Sequence, residues 1–63
     1  MIVTKPGNYE ALESFKVRTA ISIGTVPKGT VFLITQVDHA HHKVYGPVLE
    51  DWHYWDLPVR IVP

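Results

Sequence analysis

Glycine and proline punctuate this chain so closely that long helices have no room to form. Pro6-Gly7, Gly24, Pro27, Gly29, Gly46-Pro47 and Pro58 divide it into short runs. Within those runs apolar residues tend to recur at every second position, the period of a half-buried strand. Phe15, Val17, Thr19, Ile21 and Ile23 fall on one face of such a run, with Lys16, Arg18, Ala20 and Ser22 on the other. The stretch Gly24 to Gly29 supplies turn chemistry, because Pro27 presets φ and Gly29 accepts a positive φ two residues later. Thr30 to Val37 then reads as the strongest strand. It is apolar on both faces, as expected of a central strand covered on two sides. Asp38-His39-Ala40-His41-His42 is polar and short enough for a hairpin. Lys43 to Gly46 reads as a short strand, and Val59-Arg60-Ile61-Val62 as the last one, with Val59 and Ile61 facing one way. Tyr9 to Ser14 is the one helix-forming stretch, with Asn8 as its N-cap, and is expected to make one or two turns.

Size limits what such strands can become. The chain has 63 residues and no cysteine, so it makes one small domain without disulfides or thiolate metal sites. Only about 60% of the unfolded surface can be buried at this length, and a core of that kind rarely supplies more than about 3–5 kcal/mol. Six Lys and Arg balance six Asp and Glu, so no global field draws the chain to nucleic acid or to an anionic membrane. The beginning lacks the apolar stretch of a signal peptide, and no run approaches the roughly 20 apolar residues that span a bilayer. The expectation is a cytoplasmic protein.

Four or five short strands in so few residues favour closure into a small barrel, which removes the exposed edges of an open sheet. The fold expected is all-β: a five-stranded barrel over residues 15–63, with residues 1–14 as a short helical turn or extension. Three segments carry a resemblance to SH3-like barrels. Pro27-Lys28-Gly29-Thr30-Val31 resembles the turn and strand that hold Lys-Gly-Asp in SH3 domains. Asp38 to His42 is similar to one of their hairpins, and Trp55-Asp56-Leu57-Pro58 followed by Val59 to Val62 is similar to their Leu-Phe-Pro exit into the last strand. SH3 domains also carry Ala-Leu-Tyr-Asp-Tyr on the first strand, where Val17-Arg18-Thr19-Ala20-Ile21 stands here, and paired tryptophans where His42-Lys43-Val44 stands. The resemblance therefore implies a fold and not a groove for proline-rich peptides, and a fold does not fix function.

Candidate chemistry is sparse. His39, His41 and His42 cluster beside Asp38, and on a strand His39 and His41 would share a side, as a zinc or nickel site requires. Structural zinc needs four ligands, however, and no Cys contributes; solvated imidazoles at a hairpin tip are the plainer reading. No nucleophile elbow is present, and Ser14 and Ser22 lie in ordinary contexts. A barrel this small has little room for a concave active site, so neither catalysis nor a cofactor is expected.

The segment Asp51-Trp52-His53-Tyr54-Trp55-Asp56 is the better prospect. It holds both tryptophans of the chain within four residues. Trp and Tyr serve equally as core filler and as interface anchors. If the segment is extended, Trp52 and Tyr54 share one face; if it is a 3₁₀ turn, Trp52 and Trp55 stack. In either case one tryptophan is expected in the core and the other in a patch with Tyr45 and Tyr54, ringed by Glu50, Asp51 and Asp56. A protein partner, or a second copy of the chain, suits such a patch. Single-stranded nucleic acid is the alternative, served by Arg18, Lys28, Lys43 and Arg60. The surrounding carboxylates repel phosphate and favour protein. The format of a lone small barrel also suits an accessory protein of the kind phage and plasmid genomes carry.

Overall fold

Tyr9 and Ala11 point inward and are almost fully buried, while Asn8 before them is exposed and Glu10 between them is half-buried. That alternation is a strand, and it overturns the helix expected over Tyr9 to Ser14. The computed structural model describes residues 1–18 and 22–63, and among them there is no helix. Eight strands form: β1 (Gly7–Ala11), β2 (Phe15–Arg18), β3 (Ile23–Val26), β4 (Val31–Ile34), β5 (Gln36–Asp38), β6 (Lys43–Tyr45), β7 (His53–Tyr54) and β8 (Val59–Ile61). A six-residue helix gains little from propensity alone. Here β1 gains antiparallel partners on both sides, with Tyr9 opposite Phe32 on β4 and opposite Ile61 on β8.

The strands lie in three sheets ordered β4-β1-β8, β2-β3 and β5-β6-β7. This corrects the expected five-stranded barrel: the strands number eight, and their hydrogen-bonded ladders do not join into a closed barrel among the described residues. The long run Thr30 to Val37 also divides. Phe32 and Ile34 are buried, whereas Val31 and Leu33 are exposed, so β4 is a one-faced edge strand and not a central strand covered on both sides. At Thr35 the chain leaves the first sheet for the third, and the Thr35 amide donates to the Tyr45 carbonyl at 2.8 Å. The strand expected from Phe15 onward breaks in the same way. Phe15 and Val17 do face inward on β2, the faces of Thr19, Ala20 and Ile21 lie outside the described residues, and Ile23 is exposed on β3. Gly24 and Thr25 belong to β3, not to a turn, and pair with Val17 and Lys16.

The turn chemistry acts one step later. Gly29 has φ of 87°, a conformation that costs glycine little and other residues more, and its amide donates to the Ala11 carbonyl at 2.8 Å. The Thr30 carbonyl then accepts from Ala11 N at 2.9 Å, which delivers the chain onto β1 as β4. The expected hairpin over Asp38 to His42 is present, with Asp38 opposite Lys43, and His42 turns it with φ of 58°.

All three sheets share one apolar core. Ile34, Leu49, Leu57, Val3, Val26 and Val44 are its most enclosed side chains. Burial of each contributes about 1.5–3 kcal/mol before the entropy of ordering is counted. On β8, Val59 enters the core and Ile61 does not. The start of the chain packs alongside residues 55–57: the Val3 amide donates to the Trp55 carbonyl at 2.9 Å, and the Leu57 amide to the Met1 carbonyl at 2.9 Å. No helix among the described residues is long and apolar enough to cross a membrane.

Candidate functional site

Pairing within the third sheet decides where the aromatics go. Val44 is buried at the middle of β6 and lies opposite His53 on β7 and Val37 on β5. Its neighbours Lys43 and Tyr45 must therefore point outward. Lys43 lies opposite Asp38 on one side and Tyr54 on the other, and Tyr45 lies opposite Gln36. One step before β7, Trp52 comes beside Tyr45, with ring centroids 5.5 Å apart and planes tilted by 45°. Trp52 remains 41% exposed and Tyr54 57%. The outer face of this sheet is thus aromatic and charged, while its inner face is apolar.

A cleft of about 390 Å³ opens beside Trp52, lined by Arg18, Asp38, His41, Lys43, Asp51 and Trp52. Arg18 comes from the end of β2. The His53 ring nitrogens lie 2.8 Å from the Tyr54 carbonyl oxygen (Nδ1) and 3.2 Å from the Lys16 carbonyl oxygen (Nε2). Phe15 meets the same ring edge-on at 6.0 Å. A neutral imidazole has one N–H, so it donates to one of these carbonyls, and the ring packs between β2 and β7 with Arg18 two residues beyond Lys16.

The charges in the cleft are not equivalent. Asp38 Oδ1 accepts from the amides of Ala40 and His41 at 3.0 and 3.1 Å, and Oδ2 lies 2.8 Å from His41 Nδ1. The His41 ring, and after it the His41 amide, hold the Asp38 carboxyl below the ordinary aspartate range. Asp51 Oδ1 accepts from the Trp52 amide at 2.7 Å. Arg18 and Lys43 have no carboxylate within ion-pair distance among the described residues, where the ion pairs are Met1 with Asp56, His41 with Asp38 and Arg60 with Glu10.

Of the residues singled out from sequence, Tyr45, Asp51 and Trp52 come together, and Tyr54 stands across Lys43 from Asp38. Trp55 goes elsewhere. It packs half-buried against the core, its ring stacks on His42 at 4.5 Å with planes 11° apart, and His39 meets it edge-on at 5.9 Å. Trp52 and Trp55 do not stack on each other. Asp56 follows Trp55 away from the cleft, forming a bridge with Ile2 and lying 3.2 Å from the Met1 nitrogen. The histidines separate in the same manner, His41 onto Asp38 and His39 and His42 onto Trp55. No group of three or more His, Asp or Glu side chains converges as a metal site would require among the described residues.

Among the basic residues, Arg18 and Lys43 meet at the cleft. Arg60 instead pairs with Glu10, with Nε 2.6 Å from Oε1. Alternation around Val44 was a sufficient signal for Lys43 and Tyr45 on one face. Nothing in the sequence signals that Arg18, remote along the chain, completes it. Comparison with protein-family models, with curated proteins and with solved structures finds no match for this chain.

Proposed function

We propose that this protein is a non-catalytic, cytoplasmic interaction module that binds a protein partner through the outer face of the third sheet, centred on Tyr45 and Trp52. The observation that carries this reading is the Tyr45–Trp52 pair, with Tyr45 on a paired strand and Trp52 beside it at the edge of a cleft, 41% exposed. Rigid aromatic anchors of this kind dominate protein interfaces because they bring large contact area with few rotatable bonds.

We read the chain path as SH3-like. The first strand lies between β4 and the last strand, and the Pro27 to Val31 turn feeds β4. SH3 domains carry Ala-Leu-Tyr-Asp-Tyr on their first strand, and this chain has no such segment. His42-Lys43-Val44 still stands where those domains carry paired tryptophans, so a proline-rich ligand forms no part of the proposal.

Affinity capture from an extract of the source cells, with wild type and Trp52→Ala in parallel, tests the reading. The expected result is a partner retained by the wild type and lost by a folded Trp52→Ala variant. Equal recovery by both would sink it. A second reading has one observation in its favour: Arg18 and Lys43 flank Trp52, as in platforms that stack single-stranded bases. Asp38 and Asp51 on the same rim weigh against a polyanion. Oligothymidylate binding that falls steeply with added salt would favour the nucleic-acid reading. Sedimentation equilibrium separates both from self-association.

A further inference from the structure

The cleft beside Trp52 has two kinds of charge, and they differ in what they have left to offer. Asp38 faces Lys43 directly across the β5-β6 ladder, where opposite charges normally pair. Instead both Asp38 oxygens are taken by the hairpin that follows it, through the amides of Ala40 and His41 and the His41 ring. Asp51 is likewise turned back onto the Trp52 amide. The carboxylates therefore serve the local backbone, and both cations line one opening with no carboxylate at ion-pair distance among the described residues. Arg18 presents a planar fork of donors that matches a carboxylate bidentately, and Lys43 presents a point charge.

We propose that this cleft is a subsite for an acidic side chain of an extended peptide, its carboxylate held by Arg18 and Lys43 and a neighbouring aromatic residue laid on Trp52 and Tyr45. This rests on the protein-binding reading above and specifies its partner. A single carboxylate fits where a phosphate backbone does not, because Asp38 and Asp51 flank the cations and penalise a line of negative charge but not one buried between the two bases. The cavity, about 390 Å³, suits one side chain and part of the next, at the small end of ligand sites.

The test is a titration of the ¹⁵N-labelled protein with the blocked pentapeptide acetyl-Gly-Glu-Trp-Glu-Gly-amide and with its Gln and Lys counterparts. The Glu peptide is expected to shift the Arg18 Nε–H, the Lys43 amide and the Trp52 indole together and saturably. Arg18→Gln combined with Lys43→Gln should weaken it about ten-fold or more, the loss expected when charge-assisted bonds go. Trp52→Ala should weaken all three peptides. Equal binding of the Glu, Gln and Lys peptides would overturn the carboxylate subsite while leaving an aromatic interaction face. Binding of the Glu peptide unchanged by Trp52→Ala would overturn that face as well. Oligothymidylate competing for the same resonances more tightly than the Glu peptide would overturn both in favour of nucleic acid. A Glu peptide that shifts none of these resonances at millimolar concentration also overturns the subsite.

Discussion

Trp52 and Trp55 stand three residues apart and meet opposite surroundings. Around Trp55 the backbone is engaged on both sides, its amide donating to the His42 carbonyl and its carbonyl accepting from Val3, each at 2.9 Å. Its ring is covered by His42 and by the core. Around Trp52 the amide bonds only to the carboxylate of its own neighbour, and one ring, that of Tyr45, touches its face. The difference comes from the alternation of β7. His53 turns toward Phe15 and the inner face, so Tyr54 turns outward with Lys43, and Trp55 then leaves the strand to pack beneath the β5-β6 hairpin. One aromatic closes the fold and the other is offered outward, and the distinction lies in what the backbone beside each is bonded to.

The exposure of Trp52 does not mean that its support is loose, and the largest effect predicted tests that. Gly46 follows Tyr45 and is buried, and a Cβ placed there would collide with the Leu33 carbonyl oxygen and crowd the Ile34 Cα. Backbone cannot move aside as a side chain can. Gly46→Ala should therefore cost about 3 kcal/mol or more, enough to unfold most of a domain this small in a denaturant melt. Only a shift of a few tenths of a kcal/mol would show that β4 and β6 can separate.

Trp55→Ala comes next. A half-buried indole on the core should cost about 2–3 kcal/mol, read from the urea midpoint. Trp52→Ala should cost less than about 1 kcal/mol and leave the amide spectrum of the first sheet unmoved. Should the two variants destabilise equally, the contrast between the tryptophans is lost. A smaller effect of opposite sign is expected at Glu50, which holds a left-handed φ of 59°. Glu50→Asn should raise stability by about 0.5 kcal/mol, because Asn tolerates that region.

The smallest effect concerns pH. With its folded pKa lowered by the His41 ring and amide, Asp38 contributes order that is complete above the ordinary aspartate value, about 3.9. That order is lost as pH falls through the lower folded value. The amides of Ala40 and His41 should move together in an acid titration. Movement beginning at or above the ordinary aspartate range would contradict the hairpin geometry.

Much of this was legible where a short-range rule governs. The turn at Pro27 to Gly29, the hairpin over Asp38 to His42 and the outward Lys43 and Tyr45 all follow from local φ preferences or from alternation around one buried valine. The expectations that failed needed long-range information. Tyr9 to Ala11 looked helical because its neighbours are good helix formers, and only pairing with β4 and β8 makes it a strand. Val31 and Leu33 looked buried because apolar residues usually are, yet the sheet ends at β4. The cleft was half legible, since Trp52, Asp51 and Tyr45 stand near one another in sequence while Arg18 arrives on a distant strand, β2.

The central position of β1 also bears on how the molecule is made. One of its two neighbours is the last strand of the chain, joined to it through the pairs Tyr9–Ile61, Glu10–Arg60 and Ala11–Val59. During synthesis β1 emerges early and must wait for β8 before its second edge is covered. Native pairing that distant is slow to close, so the first sheet is completed only once β8 has left the ribosome. Until then an open strand edge is available for mispairing.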